Sequence, residues 1–309
     1  MGNLERSIDI EGGGHQEGSE GQGKNVLVQR EMVDQIEGMI EQLEQGLVER
    51  GTEARLLALA ALSRNHLLLI GPPGTAKSEL SRRLSSAFEV KSIEPDPFDA
   101  FPTDSYHPPD TSYFERLLTR FSTPEELFGP LSLKALEKDR FERNVEGYLP
   151  TAKVAFLDEV FKANSAILNT LLGLLNERVF DQGPTRINVP LSTVVGASNE
   201  LPESEELAAL YDRFLLRRSV EPVSDESVLA LLAATTVVPP GASASSGSSG
   251  PLDLEAVIEE VTAVASSMPL STDVAALLGE VRSFLKEDVE PPIVVSDRRL
   301  VQAAKLLKC

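Results

Sequence analysis

The string "GPPGTAKS" at residues 71–78 holds residue types that grip phosphate. Gly71, Pro72, Pro73, Gly74, Thr75, Ala76, Lys77 and Ser78 follow the pattern GxxxxGK[ST], altered only in that Ala76 stands at the usual second glycine. An apolar strand ending at Ile70 and an amphipathic helix starting at Glu79 would set this loop at a helix N-terminus, where backbone N–H groups face an anion. Lys77 would then contact the β- and γ-phosphates of a nucleotide, and the Ser78 hydroxyl would ligate Mg²⁺. The competing reading is a coincidental glycine-proline turn. It does not account for the strand before the loop and the helix after it.

Three further positions could complete the chemistry. Asp158 closes the apolar run "VAFLD" and is placed to hold Mg²⁺, directly or through water. Glu159 beside it is the type of group that polarises an attacking water. A carboxylate pair here favours hydrolysis over transfer to an acceptor; the bland alternative is a solvated cap after a core strand. Asn199 closes "STVVGASN" and would point into the crevice at the carboxyl ends of a parallel sheet, unless it merely forms a turn before Glu200. "LYDRFLLRRS" at 210–219 adds Arg213, which taken alone is a surface arginine at a helix end. His15, His66 and His107 are scattered and support no metal cluster, and no Ser/His/Asp or Cys/His arrangement emerges.

These residues need an α/β scaffold. Short buried strands are expected at 66–70, 153–159 and 192–200, alternating with helices, which implies a parallel sheet sandwiched by helices. Before the phosphate loop, apolar residues at helical spacing from Val33 to Leu62 predict two helices broken near Gly51. Beyond Pro222 the pattern changes to helices at roughly 224–236, 252–268, 271–288 and 296–308, with "GASASSGSSG" as a loop at 241–250. The domain reading is a flexible glycine-rich tail over 1–27, an α/β core over 28–221, and a small all-α region over 222–309. Five prolines make 91–112 a long loop.

The formal charge of −19 argues against adhesion to nucleic acid or anionic lipid, since phosphate binding needs clustered cations. No apolar run approaches the roughly 18 residues of a membrane span. A single cysteine, Cys309, rules out an intramolecular disulfide framework and fits a reducing compartment. The expected location is cytoplasmic, with organelle import left open.

Taken in order, "GPPGTAKS", "VAFLDEVFKANSAILNTLLGLLNERVF", "VVGASNELP" and "LYDRFLLR" resemble the MoxR group of AAA+ ATPases. Within that group "LLTRFSTPEELFGPLSLKAL", "GYLPTAKVAFLDE" and "VSDRRLVQAAKLL" look most like the RavA subfamily. The similarity runs from about residue 28 to 309. It implies an ATP-hydrolysing P-loop module with a helical lid, acting as a homo-oligomeric ring, usually a hexamer, that remodels or matures partner proteins. By position Lys77 and Ser78 take Walker A roles, Asp158 and Glu159 Walker B, and Asn199 sensor 1. Arg213 takes the arginine-finger place, protruding toward a neighbour's γ-phosphate. Arg298 takes the sensor 2 place, with Arg299 second to it. Residues 128–150 correspond to a pore-facing helix-2 insertion. The resemblance also places a partner-binding region beyond the lid, so the chain reads as C-terminally shortened. Two other readings compete: a nucleotide-gated interaction module with little turnover, and a nucleic-acid motor, which the acidic balance disfavours.

Overall fold

A computed structural model describes residues 17–87, 113–183, 185–234 and 253–309. Helix α1 (Glu17–Glu44) and helix α2 (Gly51–Leu62) lead into strand β1 (Leu67–Ile70), the phosphate loop and helix α3 (Lys77–Ala87). Strand β2 (Tyr113–Leu117) is followed by the short helices α4 (Pro124–Phe128) and α5 (Leu133–Leu136), then strand β3 (Val154–Asp158). Helix α6 (Ser165–Glu177), a hairpin of β4 (Val179–Gln182) and β5 (Thr185–Asn188), and strand β6 (Thr193–Ser198) come next. Helix α7 (Glu205–Tyr211) and strand β7 (Leu216–Ser219) complete the α/β part. Helices α8 (Val228–Ala234), α9 (Leu254–Ser267), α10 (Thr272–Glu287) and α11 (Asp297–Leu306) form the helical region.

The main sheet has the order β2-β3-β6-β1-β7, and every pairing in it is parallel. All five strands therefore end on one side, which is where ligands sit in open α/β sheets. Side chains alternate across the pleat and feed two cores. Leu67, Leu69, Phe156, Val195 and Ala197 face a layer that includes Leu57 and Ala61 of α2 and Leu80 and Leu84 of α3. Leu68, Ala155, Leu157 and Val194 face Ile167, Leu171 and Leu174 of α6 and Leu210 of α7. α9 joins the first core through Leu254, Val257, Ile258 and Val261, so it anchors the helical region to the sheet domain by apolar packing.

The expected strands at β1, β3 and β6 are present, and β2 and β7 are additions. Both lie at the sheet edges, where a strand needs no continuous apolar run. "LRRS" is tied down instead by Arg218 Nε, which donates 3.0 Å to the buried Glu53 carboxylate. The N-terminal tail also differs from expectation, because α1 already begins at Glu17. Extending a docked helix backward adds a hydrogen bond per residue with no new nucleation cost, even through glycines. Residues 1–16, the loop 91–112 and the loop 241–250 lie outside the described residues. The 128–150 segment is closed on itself by a bridge between Leu131 and Arg143 and braced on the hairpin, where Gln182 donates to Arg143 O at 2.7 Å. Among the described residues, no single helix is long and apolar enough to cross a membrane.

Candidate active site

The sheet brings the first set of residues together at the carboxyl ends of β1, β3 and β6. Gly71 N donates to Ser198 O at 3.0 Å, joining the start of the phosphate loop to the end of β6. A Cβ on Gly71 would sit 2.0 Å from Val220 O, so this position accepts only glycine. Ala76 has φ +63°, a left-handed backbone that explains why glycine is usual there and that alanine holds under strain. The Lys77 ammonium is buried and donates to Gly71 O and Pro72 O, each at 2.7 Å, inside the loop it must serve. Burial lowers its pKa, while the carboxylates of Asp158 and Glu159 push it back up. That coupling places the lysine and the acidic pair in one electrostatic site.

Asp158 Oδ1 accepts from the Glu159 backbone N–H at 3.0 Å. Glu159 has φ +53°, strain of the kind that collects at functional sites. Its carboxylate is held from two sides. Asn199 Nδ2 donates to Oε1 at 2.7 Å, and Lys162 Nζ lies 3.4 Å from Oε2. Asn199 is thus next to the glutamate expected to take the Walker B role. Lys162 adds a cation to this pair, and its i,i+3 spacing from Glu159 is a signal that the sequence carries. The Lys77 ammonium, the Ser78 hydroxyl and the Asp158 carboxylate are the kinds of group suited to a nucleotide with Mg²⁺.

Arg50 was also missed, since nothing in its spacing marks it. It is 5% exposed, and its guanidinium donates to Thr75 O in the phosphate loop at 3.2 Å.

Arg213 and Arg298 lie elsewhere. Both line a cavity of about 190 Å³ together with Arg64, Asn65, His66, Arg178 and Arg299. Asn65 and His66 immediately precede β1, so this cavity is at the opposite end of that strand from the phosphate loop. Arg213 does not protrude as expected. Its side chain is 27% exposed, and its Nε is buried with no hydrogen-bond partner among the described residues. Phe214, fully buried beside it, pulls the segment inward, and α11 covers it from outside. Arg299 pairs with Asp212 at 3.2 Å, and Arg298 donates to the Asn176 side chain. The structure brings Lys77, Asp158, Glu159 and Asn199 together, and separately gathers Arg213, Arg298 and Arg299.

The comparisons with known proteins agree with this architecture. The family model described as the MoxR domain in the MoxR-vWA-beta-propeller ternary systems matches residues 34–95 and 107–249. The chain is 37% identical over 281 residues to the uncharacterized protein MJ0079 of Methanocaldococcus jannaschii, covering 90% of this chain and 65% of that protein. It is also 37% identical over 282 residues to MJ0812 of the same organism, covering 89% and 65%. The chain therefore spans about two thirds of the length of these relatives. A structural protein, ORF618 of Acidianus two-tailed virus, is 27% identical over 199 residues, which is 64% of this chain and 29% of that one. Among solved structures, a candidate ATPase from Cytophaga hutchinsonii superimposes with a TM-score of 0.65 at 16% identity, over 95% of this chain and 83% of that chain, a likeness of fold. With the family model matching well over half of the chain, the protein belongs to the MoxR family of AAA+ ATPases.

Proposed function

We propose that the chain hydrolyses ATP at a site completed by a second copy of itself, and spends the cycle on remodelling or maturing partner proteins. One observation carries this reading: the two sets of functional residues occupy opposite ends of β1. Four strand residues alone separate them by about 13 Å, so Arg213 and Arg298 serve a neighbour's phosphates more easily than their own.

In this reading Lys77 and the loop amides bind the phosphates, and Ser78 and Asp158 hold Mg²⁺, which neutralises charge on the phosphate oxygens when bound. Glu159 accepts a proton from the attacking water once its contacts with Asn199 and Lys162 loosen. Arg213 and Arg298 approach from the adjacent subunit and stabilise negative charge in the transition state. A closed ring, hexameric by family resemblance, gives every site such a neighbour. The RavA-like assignment rests on the strings at 117–136, 147–159 and 295–307. Exposed Leu133 and Phe141 in the 128–150 segment offer apolar contacts for a client. The family's description suggests vWA and β-propeller proteins as partner classes. The net charge of −19 disfavours nucleic acid as the client.

A steady-state phosphate-release assay on the purified chain tests the core of this reading. ATP-dependent release that disappears in Lys77→Ala and Glu159→Gln supports it. ATP binding without release by the wild-type chain would instead indicate a nucleotide-gated interaction module.

A further inference from the structure

Arg50 is a buried cation that, among the described residues, has no carboxylate within salt-bridge distance. Its guanidinium is spread over three backbone carbonyls from three segments. Nε donates to Thr75 O in the phosphate loop at 3.2 Å, Nη2 to Glu221 O just beyond β7 at 2.7 Å, and Nη1 to Glu49 O at 2.8 Å. Only a planar fork with several fixed donors can span three acceptors in this way. Placing an arginine where it serves main-chain oxygens is costly unless holding those segments matters.

The neighbouring residue extends the arrangement. Glu49 has φ +58°, and its carboxylate accepts from Ser224 N at 2.8 Å and from the Ser224 hydroxyl. Ser224 caps the short turn Asp225–Ser227 that enters α8 and the helical region. The segment before Ser224 is tied to the phosphate loop as well. Val220 N donates to Ile70 O at 2.7 Å, and Val220 O packs against Gly71. Thus Thr75, Glu221 and Ser224 converge on two consecutive side chains in the connection before α2.

We propose that Arg50 is a positioning residue for the phosphate loop, and that Arg50 and Glu49 together couple nucleotide binding to the segment 221–227 that leads into the helical region. Arg50 fixes the Thr75 carbonyl, and hence the direction of the amides that follow it. Its charge reinforces that of Lys77 toward a polyphosphate. Any shift of Thr75 on nucleotide binding is carried through the guanidinium to Glu221, and Glu49 carries it on to Ser224. The coupling rests on the ATP-binding reading given above.

The test uses the full chain with three variants, measuring affinity for a fluorescent ATP analogue, thermal midpoint, and amide hydrogen exchange over 221–227 with and without ATP. Arg50→Lys retains charge but cannot span three carbonyls, and is expected to weaken ATP binding about tenfold. Arg50→Gln, with one donor group and no charge, is expected to weaken it further. Glu49→Ala alters an exposed side chain and leaves the Arg50 fork in place. It is expected to bind ATP within about twofold of wild type while losing the ATP-dependent change in exchange at 221–227. A purely structural role for Arg50 would lower the thermal midpoint and leave the affinity of the folded protein unchanged, which overturns the proposal. Persistence of the exchange response in Glu49→Ala overturns the coupling to 221–227, even if Arg50→Lys fails to fold. Absence of ATP binding by the wild-type chain overturns both this proposal and the reading it rests on, whereas wild-type binding with unaffected variants overturns this proposal alone.

Discussion

The Arg213 guanidinium has a nitrogen buried without a hydrogen-bond partner, which is an expensive state for a charged group. Among the described residues its carboxylate neighbour is Asp212, 3.8 Å away and shared with Arg299. An incoming phosphate would supply the missing acceptor. Arg213→Ala is therefore expected to bind ATP normally and lose turnover by roughly 10³–10⁵; separate binding and phosphate-release measurements check this, and normal turnover would remove the finger assignment. At the other site, Asn199 and Lys162 share the Glu159 carboxylate. Under the proposed function, Asn199→Ala is expected to lower kcat at least tenfold while ATP affinity stays within a few-fold, because Asn199 donates to the Glu159 carboxylate that would activate water. An equal change in kcat and affinity would argue that Asn199 acts in binding.

Among the elements, β1 carries the most, with the phosphate loop at one end and His66 at the other. His66 is 4% exposed; its Nδ1 accepts from Val194 N and its Nε2 donates to Leu175 O, each at 3.0 Å, which joins β1, β6 and α6. Burial, with the positive charge of Arg178 nearby, lowers its pKa to about 3; the bond to Leu175 O opposes this. The folded state stays neutral where the unfolded chain, near 6.5, takes up a proton. Stability from this residue is thus complete above pH 6.5 and declines as pH falls toward 3, by ~4 kcal/mol at most. Urea midpoints measured from pH 7 to pH 4 should fall, and His66→Gln should flatten that slope while lowering the midpoint at pH 7. The same elements show what the sequence disclosed. Buried strands β1, β3 and β6 stand out as apolar runs, and the residues at their ends follow from them. Edge strand β7 has an arginine-rich sequence and depends on Glu53, 165 positions earlier, so no local pattern revealed it. Arg50 was illegible for the same reason: its acceptors are backbone oxygens at 49, 75 and 221. Arg298 enters only through the family resemblance, and its place beside Arg213 depends on how α11 packs.

For the whole molecule, the proposed function makes activity a property of the assembly, because the two groups of residues lie at opposite ends of β1. Subunits carrying Arg213→Ala have an intact phosphate site, and subunits carrying Glu159→Gln have intact arginines. Mixed together, they should recover part of the turnover that each lacks, peaking at an intermediate ratio. No recovery at any ratio, with mixed rings shown by size measurement, would count against shared sites. Mass measurements with and without ATP should show a larger species when nucleotide is present. In the proposed ring, Gly196 would bear on how neighbouring sites stay in step. It lies on β6, three residues before Asn199, and a Cβ there would fall 2.8 Å from the Phe214 ring, which directly follows Arg213. The strand that ends at Asn199 is therefore packed directly against the aromatic ring of the residue that follows Arg213. Gly196→Ala should displace that ring, costing about 1–3 kcal/mol of stability. Any sigmoidal dependence of turnover on ATP concentration should flatten in that variant, while single-site ATP affinity survives. Phase between adjacent subunits would then be set by the absence of one methyl group.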